Sequence, residues 1–167
     1  MSDSSVKKLH QLVAEPAIKE IDHWIAKYPA DQRQSAVMSA LMIVQEQHGH
    51  LTPELMDAVA EYLDMAPISV YEVASFYTMY QREPVGKNSI NVCTSISCLL
   101  RKSNEVINHL EKKLGIKLGE TTADGRFTLR SVECLGACVG APMMQINKDY
   151  HEHLTPESID QILDQYQ

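Results

Sequence analysis

The chain has 167 residues, a formal net charge of −7 and 44% hydrophobic residues. That length supports one good core, or a small core with a helical extension, and the acidic balance argues against nucleic-acid binding, which needs a basic face. No apolar run approaches the ~18 residues that suggest a bilayer span. The longest, around 36–44, is broken by Ser39, and the opening Met1-Ser2-Asp3-Ser4-Ser5 carries no apolar signal core. A cytoplasmic protein with no direct membrane insertion is therefore expected.

The first eighty residues read as helical. Ile18, Ile21, Ile25 and Tyr28 recur at helical spacing with Trp24 broadening the stripe, and Pro29 is read as the end of that helix. Val37, Leu41, Val44 and His48 mark a second stripe, which Gly49 closes. Thr52 and Pro53 supply an N-cap and a first-turn proline for a third helix running to about Asp64. Ser69 and Glu72 predict a capping box ahead of Val70, Val73, Ala74 and Tyr77. Gln81 to Asn88, with Pro84 and Gly86, reads as a connection. The periodicity then changes. A short strand is predicted over 89–93, a helix over 103–114 closed by Gly115, and a second strand over 127–133 after the Asp124-Gly125 turn. Residues 143–147 and 150–154 flank a polar turn and predict a hairpin. Thr155 and Pro156 open a last helix bearing Ile159, Ile162, Leu163 and Tyr166. The expected fold class is α/β, with a helical N-terminal subdomain over 1–85 and a small-sheet domain over 86–167.

Four cysteines occur, as Cys93-x4-Cys98 and Cys134-x3-Cys138, with 35 residues between the pairs. The first strand, its helix and the second strand make a βαβ unit, so the two strands should run parallel. Each cysteine pair then follows a strand out of the same carboxyl-terminal edge, where open α/β sheets hold ligands. Four thiolates are what one [2Fe–2S] cluster or one tetrahedral Zn²⁺ requires. Disulfides are disfavoured in a reducing compartment, and the C-x-x-C of dithiol exchange is absent. Zinc turns are usually C-x2-C, a spacing neither pair has, so a two-iron cluster is the better fit and zinc the alternative. The small, uncharged run from Cys134 to Pro142 would let backbone N–H groups approach anionic sulfurs.

Asp124-Gly125-Arg126-Phe127-Thr128, five further residues, then Cys134-Leu135-Gly136-Ala137-Cys138-Val139-Gly140-Ala141-Pro142 resemble the signature of the respiratory complex I 24 kDa subunit family, in its bacterial NADH-quinone oxidoreductase form. The Cys93/Cys98 pair and Val73-Ala74-Ser75-Phe76-Tyr77 add to the resemblance. It implies a thioredoxin-like [2Fe–2S] ferredoxin domain behind a helical region, with Cys93, Cys98, Cys134 and Cys138 as the cluster ligands and no catalytic residue. It also implies electron transfer to or from the FMN of an NADH-binding partner subunit, in a quinone-reducing translocase peripheral to the inner membrane. The helical half would then supply much of the partner interface. A diaphorase-type subunit of an NAD-linked hydrogenase or formate dehydrogenase would share these motifs. A zinc-stabilised interaction module is the alternative of a different class.

Other features carry less. His48 and His50 flank Gly49, and His151 and His153 would share one face of a strand, but both pairs need further ligands to hold a metal. Met38, Met42, Met143 and Met144 read as core filler; Phe76, Tyr77 and Tyr80 read as packing residues. Neither G-x-G-x-x-G nor G-x4-G-K-[ST] occurs, so NADH and flavin are expected on the partner and not on this chain.

Overall fold

A computed structural model describes residues 8–166; the amino-terminal stretch in which no export signal is expected lies outside them. The chain folds as two compact units, Met1–Pro84 and Val85–Gln167.

In the first unit, α1 (Leu9–Leu12) and α2 (Glu15–Ile25) precede a 3₁₀ segment, Ala30–Ala36, followed by α3 (Val37–His48), α4 (Pro53–Leu63) and α5 (Pro67–Phe76). The boundaries follow local chemistry. Gly49 takes φ 80° to end α3, a conformation that costs glycine nothing. Thr52 Oγ1 accepts from Leu55 N–H at 3.3 Å to begin α4. Two expectations are corrected. α2 stops at Ile25, with Ala26 as C-cap, so the helix ends before Pro29 is reached. α5 begins at Pro67, ahead of the predicted box, because the proline sits at the first turn with its φ already set; Ser69 and Glu72 are inside the helix. The helices bury a continuous core that includes Ile21, Leu41, Val44, Leu51, Val59, Leu63 and Val70.

The second unit holds β1 (Asn88–Cys93), α6 (Ile96–Leu100), α7 (Ser103–Leu114), β2 (Phe127–Val132), β3 (Met144–Ile146), β4 (Asp149–His151) and α8 (Pro156–Leu163). The sheet order is β2-β1-β3-β4. β1 and β2 are parallel, with Ile90 opposite Leu129 and Cys93 opposite Val132. β3 runs antiparallel to β1 and hairpins to β4 through Asn147, which takes φ 55°. Ile90, Val92, Phe127 and Leu129 on alternate strand positions pack with Val106, Leu110, Ile159 and Leu163 from α7 and α8. That period-2 burial against helical stripes is the α/β pattern the sequence carries. The short α6 is an element the sequence reading missed, and the hairpin strands are shorter than predicted.

Among the described residues, no helix is long and apolar enough to cross a membrane.

Candidate metal centre

The register of β1 and β2 decides where the two cysteine pairs leave the sheet. Cys93 closes β1 opposite Val132, the last residue of β2, and Cys134 follows two residues later. Thr94 ties the two exits together: its N–H and its hydroxyl both donate to the Val132 carbonyl, at 3.0 and 3.1 Å. Cys98 lies inside α6, so the x4 spacing is taken up by the start of a helix and not by an open loop. Cys138 opens a 3₁₀ turn, Cys138–Gly140.

The four thiols form two unequal pairs. Cys93 and Cys98 are buried, at 2% and 1% exposure, in a small apolar cluster with Ala141 and Met143 on which Leu135 and Ala137 pack. Cys134 and Cys138 are exposed, with their sulfurs 3.8 Å apart. No disulfide joins any of them. Burial pushes the Cys98 thiol up to about 11, with its hydrogen bond to Cys93 and the nearby Cys93 and Cys138 sulfurs adding to the rise. Burial acts on Cys93 in the same direction but is outweighed, first by the backbone N–H groups of Leu135 and Ser95 and then by the Cys98 thiol and the Ser95 hydroxyl, so its thiol lies below the usual range.

Backbone donors surround these sulfurs. Leu135 and Ser95 N–H face Cys93, Met143 N–H faces Cys98, and Gly136 N–H donates to Cys134 Sγ at 3.4 Å. Gly136 reaches that orientation with φ 85°. N–H dipoles directed at three of four soft, deprotonatable sulfurs fit an anionic iron–sulfur group, because the dipoles stabilise negative charge on those sulfurs. Among the described residues, no three His, Cys, Asp or Glu side chains converge on a single ion position.

The sequence of the chain matches the pattern of the thioredoxin-like [2Fe–2S] ferredoxins over residues 21–167. The chain belongs to that family. It is 46% identical over 148 residues to the NADH-quinone oxidoreductase E 2 subunit of Rhizobium meliloti (strain 1021), covering 89% of this chain and 87% of that protein. It is 48% identical over 141 residues to the NADH-quinone oxidoreductase E subunit of Rickettsia bellii (strain RML369-C), covering 84% of each. Against the mitochondrial NADH dehydrogenase [ubiquinone] flavoprotein 2 of Dictyostelium discoideum it is 49% identical over 147 residues, which are 87% of this chain and 60% of that one. In fold, this ferredoxin-family chain resembles part of a chain in the crystal structure of an NAD⁺-reducing [NiFe]-hydrogenase, with a TM-score of 0.65 at 22% identity. That match covers 75% of this chain and 22% of the hydrogenase chain.

His48 and His151 have partners away from the cysteines. His48 Nε2 lies 3.0 Å from the Leu12 carbonyl oxygen. His151 Nε2 lies 3.0 Å from the Tyr166 hydroxyl, and His153, at φ 52°, is beyond the end of β4, so the expected shared strand face does not form. Met143 and Met144 are core, as read; Phe76 is not, being 77% exposed, whereas Tyr80 is buried with its hydroxyl donating to the Met38 carbonyl. Tyr150 was missed altogether. Its hydroxyl donates to the Leu135 carbonyl at 2.8 Å, inside the second cysteine loop. Strand alternation opposite Asp149 and His151 was the signal that could have found it.

Proposed function

We propose that Cys93, Cys98, Cys134 and Cys138 hold one [2Fe–2S] cluster, and that the chain is an electron-transfer subunit of an NADH:quinone oxidoreductase, exchanging electrons with the FMN of an NADH-binding partner subunit. The observation carrying this reading is two cysteine pairs that follow parallel neighbouring strands from one sheet edge, with backbone N–H donors to Cys93, Cys98 and Cys134. The 46% and 49% identities to subunits of such oxidoreductases support it. When bound, the cluster supplies one-electron redox chemistry.

The residues of the chain divide the remaining work. Cys93 and Cys98 anchor the group in the apolar pocket with Ala141 and Met143, away from water. Cys134 and Cys138 hold it at the surface, beside Val139, which is 96% exposed. The N–H groups of Ser95, Leu135, Gly136 and Met143 favour the extra negative charge of the reduced state. The isolated chain carries electrons and has no substrate of its own. In the helical unit, Phe76 at 77% and Met79 at 42% exposure offer apolar surface of the kind partner subunits cover.

Anaerobically purified protein should be red-brown, hold about two irons and two acid-labile sulfides, and become paramagnetic only on reduction. Cys98→Ala and Cys134→Ala should each lose the iron, whereas His151→Ala should keep it. Colourless protein with stoichiometric zinc would mean a structural module instead. Co-purifying subunits distinguish a quinone-reducing assembly from a hydrogenase or formate dehydrogenase.

A further inference from the structure

Tyr150 sits at the middle of β4, between Asp149 and His151, which both turn toward Tyr166, three residues past the end of α8: the Tyr166 hydroxyl donates to Asp149 Oδ2 at 3.0 Å and lies 3.0 Å from His151 Nε2. Strand alternation therefore sends Tyr150 to the opposite face. There its hydroxyl meets the carbonyl of Leu135 at 2.8 Å. That carbonyl and the Gly136 N–H belong to one peptide plane, and the Gly136 N–H donates to Cys134 Sγ at 3.4 Å. The result is a relay of dipoles, O–H to O=C and then N–H to sulfur. A hydrogen bond accepted by an amide oxygen polarises the amide and strengthens the bond its N–H donates.

We infer that Tyr150 is a positioning residue that raises the reduction potential of the centre by polarising and orienting the Leu135–Gly136 peptide toward Cys134. The inference rests on the cluster assignment proposed above. Its sign follows from charge: the reduced cluster is the more negative state, so stronger N–H···S bonds stabilise it more than the oxidised one. Tyr150 is 48% exposed and outside the buried core, so loss of the hydroxyl alone should leave that core intact.

The test is a redox titration of the full chain followed by the reduced-state paramagnetic signal, for wild type, Tyr150→Phe and Tyr166→Phe. Iron and sulfide content is measured alongside. Tyr150→Phe should retain the wild-type iron and sulfide but titrate at a more negative potential, and should show weaker coupling of an exchangeable proton to the reduced centre. Tyr166→Phe removes a hydroxyl bonded to Asp149 and His151, not to the cysteine loop, and should leave the potential unmoved. An unchanged potential in Tyr150→Phe, an equal shift in both variants, or loss of iron from Tyr150→Phe would each overturn the inference while leaving the cluster assignment standing. A wild-type chain without reducible iron would overturn both.

Discussion

Gly136 and Gly140 stand two residues to either side of Cys138 and answer to different constraints. Gly136 adopts φ 85° with open space around it, so its constraint is backbone conformation. Gly140 has no positive φ; a Cβ there would lie 2.6 Å from Glu152 Cβ and overlap that carboxylate. The Glu152 side chain occupies the volume a residue at 140 would need, while His153 N–H donates to the Gly140 carbonyl at 2.6 Å and fixes the separation of the two segments. Gly140→Ala should therefore destabilise the protein by roughly 1–3 kcal/mol, as overpacking does. Combining it with Glu152→Gly should recover much of that loss, since neighbours that compete for one space are non-additive. Denaturant unfolding of the two single variants and the double would check this, and simple additivity would show that the overlap is not the cause. Both glycines were visible in the sequence as small residues near sulfur. Only the fold separates the turn glycine from the one that yields space to a distant glutamate.

At the scale of elements, α7 and α8 are clasped by charge as well as by apolar packing. His109 Nε2 lies 2.9 Å from Asp160 Oδ1, and Lys113 Nζ lies 3.2 Å from Oδ2. The hydrogen bond to His109, then that to Lys113, holds the Asp160 carboxyl below the usual carboxylate range. A carboxyl depressed on folding adds stability above its unfolded value, about 3.9, and loses it as pH falls through the lower folded value. Asp160→Asn should thus melt below wild type near neutral pH, and the gap should close below about pH 4. A gap independent of pH would assign the effect to packing instead. The elements themselves were largely legible. The stripes of α2 and α8 and the alternation around Ile90 and Leu129 are clean, and the Thr52 and Thr155 caps mark their helix starts. What the sequence hid were the short pieces: α1, the 3₁₀ segment and α6 are too brief for a stripe to accumulate. The start of α5 was misread because a Ser-x-x-Glu pattern also fits the inside of a helix whose proline has already begun it.

Across the whole molecule, the departure of both cysteine pairs from one sheet edge was legible because it needs only chain order and handedness, and β1 and β2 are indeed parallel neighbours. The inequality of the pairs was not legible, since it depends on which loop the Ala141 and Met143 side chains cover. That parallel register also bears on the order in which the protein is made. Two parallel neighbours cannot meet through a tight turn; the whole crossover must be in place first. The core that fixes them, around Ile90, Leu110, Phe127 and Leu129, includes none of the cysteines. On the cysteine assignment proposed above, the scaffold should therefore come before the metal, the reverse of a zinc finger, whose metal folds the chain. Stripping iron with a chelator under reducing conditions should bleach the protein while leaving its far-ultraviolet circular dichroism nearly intact, and collapse of that signal would show that the metal organises the chain. On that same assignment, such a chain would take up iron and sulfide as an already folded receptacle, with the exposed Cys134 and Cys138 outermost and the buried Cys93 and Cys98 innermost.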